Sequence, residues 1–547
     1  VHGPHHVAKE WADKYKGKFD DGWDAYQKKT FERQKEMGWI PEDAVLAPRP
    51  EGMPAWEDVP EEEKAFQARL MEVYAGFLEH TDVQIGKLID ELDARGIRDN
   101  TIVIYILSDN GASAEGVEGS VAELNSQNGI PSTIAEHMEI TEQLGGFDAI
   151  GGPKMENMYH AAWAWAGDSP FRYTKLIAAD WGGTRTPMVI SWPKGIKPDN
   201  TPRSQFLHVN DVVPTIYELL DISHPKVVDG HEQDPMDGVS FASTFNDPDA
   251  PEVKKTQYFD IMGSRGIYHE GWTAVTHHST PWLTREWPSF EQDVWELYNT
   301  NKDRSQAHDL SKEMPEKLRE LQDLFLIEAS KYNVFPLDDR RYERFNAAIA
   351  GRPDLAGDRK TMTFYPGMTH LMENTVLNVK NRSHTITAEV EIPEGGADGV
   401  IVAQGGRFAG WTLYVKDGAA KYGYNWFDDA HYYVGGQTKL PTGVVNIRYH
   451  FNFEGDAPGG GGTGTLFVNE TQVAESKIEK TVPFVFSADE TLDIGGDLAL
   501  PVTDDYPEGE ANKFSGKINW VRIDLEEDNV SHLEPEELKY HRALARQ

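Results

Sequence analysis

Thr101–Glu115 reads TIVIYILSDNGASAE, and its first half decides the fold. Ile102, Val103, Ile104, Tyr105, Ile106 and Leu107 form an unbroken apolar run, rich in β-branched residues and short for a helix. Such a run reads as a strand buried on both faces, as in a parallel sheet covered by helices. Ser108-Asp109-Asn110-Gly111 then stops it. In open α/β sheets ligands bind beyond the carboxyl ends of strands. Asp109 and Asn110 stand at such an end, a carboxylate beside an amide oxygen, which is hard chemistry suited to a cation such as Ca²⁺. Taken alone, the same four residues also make an ordinary turn.

The pattern extends on both sides. Glu61–Gly96 carries Leu70, Tyr74, Phe77, Ile85, Leu88 and Leu92 at helical spacing and ends on a glycine. One helix followed by one strand is a step of a doubly wound α/β sheet. Residues 1–60 read as short helices and loops. From Gly111 to Pro170 the pattern dissolves, and a long irregular segment inside a domain is more often functional than idle. A second apolar strand is expected at Met188–Trp192 and a helix over His208–Ile222. Short strands at Tyr258–Ile261, Arg265–Tyr268, Trp272–Thr276 and Trp295–Tyr298, with a helix over Glu316–Tyr332, predict a small antiparallel sheet packed on one helix.

From about residue 371 the texture is all-β, with alternating strands separated by Gly and Asp turns, as in a sandwich. The expected organisation is an α/β core over 1–254, a small α+β subdomain over 255–345, a linker at 346–370, a sandwich over 371–528 and a charged tail at 529–547. Trp411, Tyr424, Trp426, Tyr432 and Tyr433 could form a sugar-binding face, although strand aromatics are more often core.

The 547 residues carry a net charge of -37, which argues against nucleic acid and anionic membranes as partners. No segment approaches transmembrane length. The absence of cysteine excludes disulfides, thiolate zinc sites and a thiol nucleophile. The acidic balance favours a periplasmic or secreted setting only weakly. The chain opens Val1-His2-Gly3-Pro4-His5-His6, which reads as cut rather than begun.

Several pieces together resemble the type I sulfatases, in particular the long arylsulfatases of the alkaline-phosphatase superfamily. They are Ser108-Asp109-Asn110-Gly111, the Pro170–Lys175 segment leading to Trp181-Gly182-Gly183-Thr184-Arg185, and Ser191-Trp192-Pro193. Phe77–Leu92, Trp295–Leu310 and Pro4-His5-His6 agree with them. The resemblance covers most of residues 1–340, and the region after 371 resembles the concanavalin-like sandwich of the long subgroup.

The resemblance implies roles by position. Asp109 and Asn110 would ligate Ca²⁺. Lys175 would contact the sulfate and neutralise developing charge. His5, with His2 and His6 as neighbours in the motif, would bind the ester oxygen and protonate the leaving group. Asp180 stands where many relatives have a histidine near the Gly-Gly pair and receives no role. Arg172 and Arg185 are either a source of positive potential or paired arginines. The family nucleophile, a formylglycine, is expected upstream of this chain, because no C-x-[PA]-S-R or S-x-[PA]-x-R element occurs in it. The expected function is arylsulfatase-like hydrolysis of small-molecule or carbohydrate sulfate esters, with the chain alone inactive. The alternatives are a phosphodiesterase or phosphonate hydrolase of the same superfamily, or a non-catalytic carbohydrate-binding protein.

Overall fold

The computed structural model describes residues 3–107, 110–278, 288–339, 355–487 and 489–526. The chain divides into two compact units. The first comprises 1–120, 141–152 and 157–339; the second comprises 121–140, 153–156 and the chain from 340 onward.

The first unit is mixed α/β. Its longer elements are α1 (Gly22–Glu36), α2 (Glu61–Ala94), β1 (Val103–Ile106), α3 (Ala161–Gly167), β2 (Met188–Ser191) and α4 (Val212–Leu219). They are followed by β3 (Thr256–Ile261), β4 (Ser264–His269), β5 (Trp272–Thr276), β6 (Trp295–Asn299) and α5 (Pro315–Lys331). Helix α1 falls in a stretch read as short helices and loops; it buries only Gly22, Trp23, Gln27 and Phe31, a stripe too sparse to mark a long helix. The core here is aromatic: Trp163 meets Trp23 and Phe19 edge-on at 5.6 and 5.5 Å. His160 caps α3, its Nδ1 accepting from the Ala162 amide at 2.9 Å. Its ring stacks on Trp23, and burial pushes its pKa down to about 3, so it stays neutral.

The parallel, doubly covered sheet expected around β1 is not what forms. Among the described residues β1 pairs antiparallel with β2 alone, with Val103 opposite Ser191 and Ile106 opposite Met188. Ile106 is 37% and Val189 63% exposed. A two-stranded ribbon has two edges, and apolar side chains are left at its surface. Helix α2 divides the same way: Phe66, Leu70 and Val73 are fully buried, whereas Leu88 is 68% exposed. By contrast, β3-β4-β5-β6 form the expected antiparallel sheet in sequence order. Ile267, Ala274 and Leu297 share a core there with Leu321, Phe325 and Ala329 of α5.

The second unit is a two-layer β structure. Its strands are β7 (Thr361–Phe364), β8 (His384–Ile392), β9 (Gly399–Gly405), β10 (Gly410–Lys416), β11 (Ala419–Trp426) and β12 (Ala430–Lys439). They continue with β13 (Gly443–Phe453), β14 (Gly462–Val468), β15 (Thr471–Ile478), β16 (Leu492–Ile494) and β17 (Lys517–Leu525). One sheet has the order β15-β14-β13-β8-β17-β7, the other β12-β11-β10-β9-β16, and the pairings are antiparallel. Strand period two puts Ile386, Ala388 and Val390 of β8 on the inner face, opposite Tyr449, Ile447 and Val445 of β13. Tyr449 stacks at 3.5 Å on Tyr422 of the other sheet, so one core joins the two layers.

Trp411 and Tyr424 belong to this core at 0% and 7% exposure, and Tyr433 is exposed, so the five aromatics do not make one sugar-binding face. Residues 361–364, inside the stretch read as linker, pair with β17 as an edge strand. The segment from 121 contributes too. Leu124 joins the core, and the Asn128 amide donates to the Leu124 and Val485 carbonyls and accepts from the Phe484 and Val485 amides, each at 3.0 Å.

Candidate functional site

Three glycines bring three segments together. Gly111 has φ +82°, and a Cβ there would lie 2.0 Å from the Gly182 carbonyl oxygen. A Cβ on Gly182 would meet the Tyr173 oxygen at 2.3 Å, and one on Gly183 the Ile177 oxygen at 2.1 Å. Only glycine permits such close backbone approach. The turn after β1 is therefore packed on Trp181-Gly182-Gly183, which is packed on 172–177. The Lys175 amide completes the contact by donating to the Ala112 carbonyl at 3.0 Å.

This packing sets Lys175 beside the Asn110-Gly111-Ala112 turn. The ammonium is mostly buried and donates to Glu115 Oε2 at 2.9 Å, an oxygen that also accepts from the Ser113 hydroxyl at 2.8 Å. An incoming anion would have to share Lys175 with Glu115. Ala112 donates its amide to both oxygens of Asp168, at 3.3 and 3.1 Å. Desolvation pushes that carboxyl well above the usual carboxylate range, against the pull of the amide.

His5 is 1% exposed, its ring centroid 4.9 Å from Tyr74, 5.9 Å from Phe77 and 5.1 Å from Tyr159. Its backbone is fixed by donation to the Asn157 carbonyl at 3.2 Å. Burial pushes the Tyr74 hydroxyl up to about 12 and raises that of Tyr159 well above its ordinary value, with the neighbouring Tyr74 and the charges of Asp168 and Glu115 adding to the latter. His6 is partly buried, and His2 lies outside the described residues.

Asn110 is partly buried; Asp109 and Ser108 lie outside the described residues. Among the described residues no three His, Cys, Asp or Glu side chains are grouped to hold a metal ion. The residues described do not complete a Ca²⁺ site.

Arg172 and Asp180, eight residues apart, face one another. The guanidinium donates through Nε and Nη2 to Asp180 Oδ1 at 3.1 and 3.0 Å, and through Nη2 to Glu296 Oε2 at 2.5 Å and the Tyr298 hydroxyl at 2.6 Å. His277 Nε2 meets the other Asp180 oxygen. Arg172 is therefore paired rather than a free source of potential. Arg185 lies over the rings of Phe171 and Trp181 at 5.2 and 5.8 Å. Sequence reasoning missed Glu115, Asp168 and His277. Glu115 and Asp168 sit in or beside irregular chain with no spacing to mark them, and His277 follows a strand of another sheet.

A sequence model of the sulfatase family matches residues 1–222. An uncharacterised sulfatase of Schizosaccharomyces pombe is 32% identical over 346 residues, covering 62% of this chain and 57% of that one. Over residues 1–222 the chain is therefore similar to the sulfatases. An arylsulfatase of Klebsiella aerogenes is 30% identical over 244 residues, 44% of this chain and 49% of its own length. The chain thus spans about half the length of these curated relatives. A solved structure from the glycosaminoglycan metabolism of Bacteroides thetaiotaomicron covers 57% of the chain and 55% of its own at 19% identity and a TM-score of 0.31, a likeness too low to support an argument.

Proposed function

We propose that the protein acts in arylsulfatase-like hydrolysis of sulfate esters. The observation that carries this reading is the seating of Lys175 against the Asn110-Gly111-Ala112 turn by glycine-to-glycine packing, within the family segment. In this reading Lys175 binds the sulfate and neutralises charge as the S–O bond breaks, in a partly buried setting where charge is poorly screened by water. Glu115 orients the ammonium before substrate arrives. His5 is the proton donor to the leaving oxygen. Asp109 and Asn110 are the chain's ligands for Ca²⁺, which when bound would supply Lewis-acid stabilisation of a sulfate oxygen. The nucleophile is a formylglycine outside these 547 residues, and the β-sandwich is of the concanavalin-like kind.

The chain has neither cysteine nor an S-x-[PA]-x-R element, so the 547 residues by themselves should not turn over an aryl sulfate. The test is hydrolysis of a chromogenic aryl sulfate by this chain, beside a longer one that carries a formylglycine element and has been matured. Turnover by the longer chain that falls at least about 100-fold in Lys175→Ala supports the reading, on the scale of losing one oxyanion-stabilising donor. Turnover by the 547-residue chain would show that the nucleophile lies within it, and full activity of Lys175→Ala would sink the role of Lys175.

A further inference from the structure

Lys175 lies in a strained stretch. Tyr173 and Leu176 have φ of +64° and +75°, in the left-handed region that residues with a Cβ enter at a cost of roughly 1–3 kcal/mol each. Strain of this kind persists only where the surroundings over-determine the backbone, and it concentrates at functional sites. Two such residues flank the lysine of the candidate site.

What over-determines the stretch is the cluster around Asp180. Arg172 takes one carboxylate oxygen and His277 the other. The loop from 172 to 180 is thereby closed on itself, side chain to side chain. It is also anchored to the four-stranded sheet: His277 follows β5 directly, and Glu296 and Tyr298 on β6 both contact the Arg172 guanidinium. The Tyr173 ring packs 4.3 Å from that of His277, on the inside of the closure. Burial alone would raise the pKa of Asp180, but the charges of His277 and Arg172 more than offset it and hold the carboxylate ionised. A carboxylate oxygen can only accept, so His277 Nε2 is the donor. A buried ion cluster is a poor source of net stability compared with apolar packing of the same volume. What it supplies is directional geometry at both ends of the strained loop.

We propose that His277 is a positioning residue of this site: by donating to Asp180 opposite Arg172, it locks the loop that presents Lys175. The consequence for anion binding rests on the sulfate reading of Lys175; the lock does not.

The test uses the full chain with His277→Leu and His277→Gln. Leucine keeps bulk and loses the donor, whereas the glutamine amide can still donate to Asp180. Hydrogen exchange read by mass spectrometry compares residues 172–180 with Gly22–Glu36 as an internal control. His277→Leu should speed exchange in 172–180 by about tenfold with the control unchanged, and His277→Gln should return it to within about twofold of the parent. Inorganic sulfate binding by calorimetry should weaken about tenfold in the leucine variant and recover in the glutamine variant. Unchanged exchange in His277→Leu, or equal behaviour of the two variants, overturns the proposal. A parent chain that shows no sulfate binding refutes the sulfate reading of Lys175, while the exchange comparison still decides the lock. If His277→Leu does not fold, Tyr298→Phe removes one Arg172 contact and keeps the ring. It should speed exchange in 172–180 about threefold, and no change would count against the lock equally.

Discussion

The β1–β2 ribbon and the β-sandwich are built from the same kind of sequence and end in opposite states. Both contain runs of Val, Ile and aromatic residues. In the sandwich Val400, Ile401, Val402, Leu413 and Ile447 are all fully buried. In the ribbon Ile106 and Val189 face solvent. The difference is not propensity but neighbours. β8 pairs on both sides, with β13 and β17, and shares a core with a second sheet, whereas among the described residues β1 pairs with β2 alone. An apolar run therefore states a demand for burial, and only the rest of the tertiary structure meets it.

Trp411→Ala should be the most damaging change. It removes a fully buried indole at the centre of the sandwich, whose Nε1 donates to Gln404 at 2.9 Å, and should cost about 3–5 kcal/mol by denaturant unfolding. A loss below about 1 kcal/mol would mean the two sheets are no better packed than the ribbon.

The pH dependence of the sandwich comes next. Burial pushes the Glu490 carboxyl up to about 7 and that of Asp497 up to about 6. The folded state holds these protons more tightly than the unfolded state, with reference values 4.5 and 3.8. Stability should thus be highest below about pH 4 on their account and fall as pH rises to about 7, by about 3 kcal/mol from Glu490. Glu490→Gln removes the charge and keeps an acceptor for the Leu500 amide, now at 3.3 Å. Thermal melts between pH 4 and 8 should show a flatter profile and a more stable variant at pH 8. An unchanged slope would refute the assignment.

Gly111→Ala probes how the ribbon is tied to the candidate site. Its Cβ would collide with the Gly182 carbonyl at a positive φ, so a loss of about 2–3 kcal/mol is expected. Gly443→Ala in the sandwich, at φ +97° but with open space around the Cβ, should cost about 1 kcal/mol. Equal losses would show that backbone strain alone, not close approach, requires glycine at 111.

The smallest effect should come from Val189→Thr. The side chain is already 63% exposed, so unfolding free energy should move by less than about 0.5 kcal/mol. A loss near that of a core valine would mean that Val189 is covered in solution.

Much of the site was legible because motif residues lie close in sequence to the glycines that position them. Asn-Gly, Pro-Phe-Arg-Tyr-Thr-Lys and Trp-Gly-Gly marked segments that the structure packs together. Lys175 was singled out through the sulfatase resemblance of its segment. Glu115, Asp168 and His277 were not, because each reaches the site through contacts distant in sequence and an isolated acid or histidine has no period.

By itself the sequence determined where elements begin and end in the small sheet and most of the sandwich, since strand alternation and turn glycines are local. It also determined that these 547 residues carry no thiol and that several motifs resemble those of the sulfatases. The tertiary structure alone decided that β1 pairs antiparallel with β2 and that Trp411 is core rather than sugar-binding surface. It also decided that Arg172 is spoken for by Asp180 and that His277 stands at the loop carrying Lys175. Register, burial and ion pairing depend on which distant residues arrive together, and a periodicity read along one segment contains no term for the partner.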